Sequence, residues 1–130
     1  MNDRRCGTGL VLAGLAITVF AGTACAQELR NYTGSVQVGQ VLQFDHWLNY
    51  QESSCKDRGF VAISIRSQPK LGRVTLQRIK VRSGSGACAG IPLSVVNVIY
   101  RAGRVTGSDV FGYGVRGAES ISVNATVTVN

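Results

Sequence analysis

The chain has 130 residues, 45% of them hydrophobic, and a net charge of +7 at pH 7, so it is long enough for one modest core. Four cysteines without a Cys-x-x-Cys pair, and a single histidine, leave a zinc site short of ligands. Asp/Asn-rich calcium loops are also missing. We expect no metal and no cofactor.

Residues 1–26 have the three parts of a cleaved signal peptide. A polar start with two arginines precedes an uncharged apolar run over 9–22, and Ala24 and Ala26 occupy the −3 and −1 positions. The apolar run is shorter than the roughly 20 residues that a transmembrane helix needs. We therefore expect cleavage before Gln27, export to the periplasm or the extracellular space, and no membrane span.

The mature chain, residues 27–130, is predicted to be a single domain and keeps two of the four cysteines, Cys55 and Cys88. A pair of cysteines in an exported chain indicates a disulfide, so we predict a Cys55–Cys88 bond. Lipid anchoring at Cys25 is not expected, because Gly22 stands where a lipoprotein signal has leucine.

Positive charge is concentrated in the middle of the mature chain. No acidic residue lies between Asp57 and Asp109. The same stretch holds nine basic residues, which are Arg58, Arg66, Lys70, Arg73, Arg78, Lys80, Arg82, Arg101 and Arg104. This asymmetry favours an anionic neighbour.

Alternation of apolar and polar residues predicts strands along the whole mature chain, and no segment has a helical period. Predicted strands cover an early region interrupted near Gly39, and then 61–66, 74–82, 96–100, 110–115 and 121–129. About seven short strands joined by glycine-rich turns predict an all-β sandwich with one disulfide. A small closed β-barrel is the alternative.

Within the 74–82 stretch the apolar residues change parity. Val74 and Leu76 lie at even positions, whereas Ile79 and Val81 lie at odd ones. A one-residue slip would turn a strand inside out, so this change predicts a β-bulge or a break near Gln77.

The C-terminal half, residues 68–130, carries a motif series. Pro-x-x-Gly-x-Val spans 69–74, a Val-x-Tyr strand spans 98–100, Gly-Ser-Asp-Val-Phe-Gly-Tyr-Gly-Val spans 107–115, and an alternating strand ends the chain. This series resembles the bacterial immunoglobulin-like and cadherin-like repeat domains of secreted and surface proteins, here in one copy. The resemblance implies an immunoglobulin-like sandwich.

Structural roles are expected for four residues of that series, Gly107, Asp109, Phe111 and Tyr113. Asp109 enters a strand from a turn, where its carboxylate can accept backbone N–H bonds. Phe111 and Tyr113 share a face. Tyr113 is placed like the corner tyrosine of such sandwiches, whose hydroxyl bonds nearby backbone.

The densest aromatic stretch holds Phe44, Trp47 and Tyr50 beside His46. These rings can contact a sugar or anchor a partner, because aromatic side chains dominate interface energies. Alternatively, Trp47 fills the core, which is the interpretation that we favour since it is the only tryptophan.

Enzymatic activity is not expected. His46 is the only histidine of the mature chain, no Gly-x-Ser-x-Gly elbow is present, and the acidic residues are not paired in sequence. No nucleic-acid-binding motif is present either, so we expect no nucleic-acid partner.

The strongest functional lead is a row of cations, Arg73, Arg78, Lys80 and Arg82. An outward basic row can bind anionic cell-envelope polysaccharide, lipid head groups or an acidic protein. It can equally be a solvated face that guards a sheet edge. We therefore expect an exported, non-enzymatic binding or assembly module. A structural subunit that self-associates by strand addition is the alternative, and a small secreted inhibitor or enzyme is the second alternative.

Overall fold

The computed structural model describes residues 28–84, 86–117 and 119–130, so the predicted signal peptide lies outside the described residues. The described chain is built almost entirely of strands. They are β1 (Glu28–Val36), β2 (Val41–Leu48), β3 (Tyr50–Gln51), β4 (Lys56–Asp57), β5 (Ala62–Ser67), β6 (Gly72–Arg82), β7 (Pro92–Ala102), β8 (Gly107–Arg116) and β9 (Ser120–Val129), with one 3-10 turn at Glu52–Ser54. Within the described ranges, no helix has the length and apolar character that crossing a membrane requires.

Seven longer strands form two sheets. The first sheet has the order β1-β9-β8-β5, the second has the order β2-β7-β6, and β3 pairs with β4 in a small hairpin. β1 runs parallel to β9, while the other pairs are antiparallel. Both sheets have two edge strands. The predicted all-β sandwich is therefore confirmed, and the closed-barrel alternative is wrong.

The core lies between the two sheets and follows the predicted alternation most closely in β9. Every second residue of that strand is at most 4% exposed, and these residues are Ile121, Val123, Ala125, Val127 and Val129. Burial of each valine or isoleucine contributes about 1.5–3 kcal/mol relative to exposure. Aromatic rings fill the centre, with the Phe44 and Phe111 centroids 5.1 Å apart.

The predicted bulge near Gln77 is wrong. β6 pairs with β7 in continuous register from Gly72 opposite Ala102 to Arg82 opposite Pro92. The parity changes because β6 leaves the covered part of the sandwich: Val74 is 3% exposed, but Leu76 on the same face is 39% exposed. Beyond that point the apolar residues occupy the outer face instead.

The sandwich has its register shifts elsewhere. One occurs in β2 between Gln43 and Asp45, and another in β5 between Ile65 and Ser67. The shift in β2 makes Phe44 the extra residue, so Asp45 takes the place opposite inward-facing Val98.

The predicted disulfide is confirmed. Cys55 follows the 3-10 turn in a left-handed conformation, with φ of 51°, and its Cα lies 5.3 Å from that of Cys88 in the β6–β7 loop. This distance falls in the usual range for disulfides. The bond fastens the β3–β4 hairpin to one end of the second sheet, and it fits an oxidising location.

Candidate functional site

Three of the four predicted cations share one side of edge strand β6. These residues are Arg78, Lys80 and Arg82. Each is separated from buried Val74 by an even number of positions in an uninterrupted strand, so its side chain projects on the same face as the core residues. At this end of the sandwich the face is met by residues around Phe60 rather than by the first sheet, and the three cations are exposed. We call these three residues the basic edge.

Phe60 supports two members of the basic edge. The Arg78 guanidinium carbon lies 5.5 Å from the centroid of the Phe60 ring, and the Lys80 ammonium lies 5.7 Å from it. A cation within about 6 Å of an aromatic face is attracted to the ring. Both side chains are therefore held beside each other along the edge.

Asp57 lies beneath Lys80 in a hydrogen-bonded cluster. The Ser94 hydroxyl donates to the Asp57 carboxylate at 2.7 Å, the Gly59 N–H donates at 3.2 Å, and the Lys80 ammonium is 3.7 Å away. The hydrogen bond from Ser94 holds the pKa of Asp57 below its usual range, with smaller contributions from Gly59 and Lys80. The charge of Lys80 is thus partly compensated.

The other two members of the basic edge lack an acidic partner in the described part of the chain. Among the described residues, neither Arg78 nor Arg82 is in an ion pair. The Arg82 guanidinium instead donates to the Gly90 carbonyl at 2.9 Å, which fixes it against the β6–β7 loop.

Arg73 does not belong to this group, so the predicted row of four cations is corrected to three. It lies at an odd position of an uninterrupted strand and projects from the outer face of the second sheet. Its cross-strand partner there is Arg101, and both side chains are exposed. Directly opposed like charges are destabilising, so the Arg73–Arg101 pair is a separate basic feature.

The aromatic stretch does not form one contact surface. Phe44 and Trp47 pack against the core, as favoured for Trp47, and the Trp47 ring is covered by the Arg30 guanidinium carbon at 5.6 Å. Tyr50 is separated from them and is half-buried in a cleft between the β3–β4 hairpin and the β6–β7 loop. That cleft also contains Arg58 and disulfide-bonded Cys88.

Asp109 is the hub of the C-terminal motif series, and its carboxylate accepts backbone N–H bonds, as predicted. It is 2% exposed and accepts backbone N–H bonds from Lys70 at 2.8 Å, Leu71 at 2.9 Å and Val110 at 3.1 Å. The Tyr100 hydroxyl donates to the same carboxylate at 2.7 Å. Asp109 thereby fastens the β5–β6 turn to the start of β8.

Two positions of the motif series need glycine, one because neighbouring atoms leave no room for a side chain and the other because of its backbone conformation. A Cβ at Gly72 would lie 2.6 Å from the Tyr100 ring and 2.5 Å from the Arg101 carbonyl oxygen. Gly107 has a φ of 145°, which L side chains rarely adopt. Gly72 therefore leaves room for the Tyr100 ring whose hydroxyl reaches Asp109, and Gly107 provides the backbone conformation two residues before Asp109.

The predicted backbone acceptor for Tyr113 is wrong. Its hydroxyl donates to the Asp45 carboxylate at 2.6 Å, and the Trp47 indole N–H donates to the same oxygen at 2.6 Å. The β2 register shift turns Asp45 inward and makes this contact possible. The His46 backbone N–H binds the other oxygen of Asp45, so the carboxylate is not directed at the exposed imidazole.

Burial raises the pKa of Tyr100 and Tyr113 well above the usual range, and the bonds to Asp109 and Asp45 raise it further. An unfolded tyrosine ionises near pH 10. Stability that both residues confer below that pH is therefore lost as the pH rises through their folded-state values. We expect phenolate absorbance from these two rings to appear only together with unfolding.

The check is an alkaline titration of phenolate absorbance beside near-ultraviolet circular dichroism. Tyr100→Phe and Tyr113→Phe should each remove one late-ionising group, with the denatured chain as the control. Ionisation of both rings near pH 10 in the folded domain would contradict this interpretation.

The described residues contain no group of three or more His, Cys, Asp or Glu side chains that could hold a metal ion. Sequence reasoning missed Asp57, Phe60 and Ser94, which support the basic edge. Asp57 and Phe60 lie in or just after β4, whereas Ser94 lies in β7, and only the fold brings them together beneath β6. The one available signal was Asp57, the last acid before the basic stretch.

Comparisons with known proteins add little. No protein-family model matches the chain, and no curated protein matches it. A solved structure with some likeness is the solution structure of amebosin, with a TM-score of 0.44 and 12% identity over 81% of this chain and 99% of that one. Likeness at this level carries no argument about function.

Proposed function

We propose that this chain is an exported, non-enzymatic binding module of the immunoglobulin-like type, which contacts an anionic partner through the basic edge of β6. The strand order is in keeping with the immunoglobulin-like part of the proposal, since β8 lies between β9 and β5 while β7 lies between β2 and β6. The disulfide is in keeping with export.

One observation carries the binding proposal. Arg78, Lys80 and Arg82 project from the same side of an edge strand, and among the described residues a single carboxylate, that of Asp57, compensates one of them. Phe60 holds Arg78 and Lys80 in place, so these side chains lose less conformational entropy when a partner binds. A partner with several negative charges would complement this array.

Self-association through β6 is disfavoured by the same charges. Two copies of this strand paired edge to edge would place Arg78, Lys80 and Arg82 beside their own counterparts. Like charges opposed across two strands are destabilising, and charged edges are a common defence against such pairing. We therefore prefer a distinct anionic partner to a homo-oligomer built on this edge.

The proposal is tested with the triple variant Arg78→Gln, Lys80→Gln and Arg82→Gln. Three probes represent the partner classes: vesicles of phosphatidylcholine with phosphatidylglycerol, heparin, and polyglutamate. At low salt we expect the variant to bind at least one probe about 10-fold more weakly, because exposed ion pairs contribute roughly 0.2–1 kcal/mol each. Wild-type binding should fall as salt rises.

A matched control removes the same charge from other positions, with Arg73→Gln, Arg101→Gln and Arg104→Gln. This variant should bind nearly as well as the wild type. Equal losses in both triple variants would mean that net charge alone matters, and a loss confined to the control would move the contact to the region of Arg73, Arg101 and Arg104. Either result would overturn the proposed site.

A further inference from the structure

Edge strand β6 exposes backbone as well as charge. The Val74 N–H donates to the Gln68 side-chain oxygen at 3.1 Å, and the Val74 carbonyl accepts from the Gln68 amide at 3.2 Å. Val74 therefore directs both backbone groups away from β7, and Gln68 occupies the position that a neighbouring strand would take. The side-chain amide closes this end of the edge.

The rest of the edge has no such cover among the described residues. In an antiparallel pair, every second residue directs its backbone N–H and C=O groups to the neighbouring strand, and the residues between them direct theirs to the opposite side. Leu76, Arg78 and Lys80 therefore direct these groups away from β7, as Val74 does. In the described part of the chain, only Gln68 pairs with this side of β6. An open ladder of this kind accepts an added strand.

We propose that the free edge of β6 binds an extended acidic polypeptide segment by strand addition. This inference rests on the proposed function and names its partner class. An added strand would form backbone hydrogen bonds along 76–82, and its side chains would lie beside those of β6 on both faces of the sheet.

The two faces of β6 dictate the pattern of that segment. On one face it would meet Arg78, Lys80 and Arg82, which favour Asp or Glu. On the other face it would meet Ile79 and Val81, which lie beside Val95 and Leu93 and favour apolar side chains. The preferred partner therefore alternates acidic and apolar residues in either strand direction.

A polysaccharide or a lipid surface cannot complete a backbone ladder, so backbone contacts discriminate between the partner classes. The probe is a capped peptide of about seven residues, the usual length of a strand, with glutamate alternating with valine or threonine. One control peptide has the same composition with its glutamates grouped at one end. Another control peptide has lysine in place of glutamate.

The decisive variant is Leu76→Pro, because it removes an edge N–H without changing charge or any hydrogen bond to β7. Leu76→Ala is its control, since it removes the same side chain and keeps the N–H. We expect the alternating peptide to bind Leu76→Pro about 5-fold more weakly than Leu76→Ala, the effect of about one hydrogen bond.

Amide hydrogen exchange on the unmodified domain gives a second measurement that needs no variant. The alternating peptide should protect the N–H groups of Leu76, Arg78 and Lys80, whereas those of Thr75 and Gln77 already face β7 in the ladder. Equal binding by both Leu76 variants, with no new protection at the edge, would overturn strand addition.

The two proposals fail in different ways. If the basic-edge triple variant loses binding while the Leu76 variants behave alike, the basic edge is a side-chain site for an anion and only strand addition is wrong. If the triple variant and the wild type bind every probe equally, the proposed function itself is wrong.

Discussion

Asp109→Ala is expected to lower the free energy of unfolding by at least about 3 kcal/mol, because several buried hydrogen bonds to one carboxylate are lost together. Its carboxylate accepts from three backbone N–H groups and from the Tyr100 hydroxyl. All four donors would be left without this acceptor in a site that is 2% exposed. Urea unfolding followed by circular dichroism measures the change.

Two companion variants separate the carboxylate from the volume of its side chain. Asp109→Asn keeps the shape but replaces one acceptor oxygen with a donor, so it should still be clearly destabilising. Tyr100→Phe removes a single bond to the carboxylate and should cost about 1.5–3 kcal/mol. A loss below about 1 kcal/mol for Asp109→Ala would contradict the role of Asp109 as a hub.

The fold was largely predictable from local pattern. In β9 the alternating apolar residues all enter the core, because this strand is paired on both sides and covered by the second sheet. The acceptor role of Asp109 was also predictable from its place at the entry to a strand, but its partners Lys70 and Leu71 in the β5–β6 turn were not.

The candidate site was only partly predictable, since the apolar residues of β6 do not all lie on the face that points to the core. An apolar residue marks the core side where the sandwich is closed, as at Val74, but the outer side where it is open, as at Ile79. The sequence does not say where the covering layer ends. The contact of Tyr113 with Asp45 was not predictable either, because it depends on a register shift in β2.

The β3–β4 hairpin connects stability to the proposed function. Asp57 in β4 and Phe60 just beyond it support Lys80 and Arg78. The hairpin itself has few strand contacts, since β3 and β4 are two residues each and pair with each other. Its position therefore depends on the Ser94 hydrogen bond to Asp57 and on the disulfide.

Removal of the disulfide is expected to have the second large effect. Cys55→Ser and Cys88→Ser should each lower the free energy of unfolding by about 3–4 kcal/mol, the chain-entropy value for a loop of this length. The two cysteines are 33 positions apart and cross-link the hairpin to the β6–β7 loop. Thermal unfolding with and without reductant measures the effect on the wild type.

The reductant provides the control, because it should lower the melting temperature of the wild type and leave that of either cysteine variant unchanged. We also expect weaker binding through the basic edge at temperatures where the reduced domain is still folded, since a released hairpin no longer fixes Asp57 and Phe60 beneath Lys80 and Arg78. A melting temperature insensitive to reductant would show that the bond contributes no stability. Full binding by the reduced, folded domain would show that the disulfide is not needed to organise the basic edge.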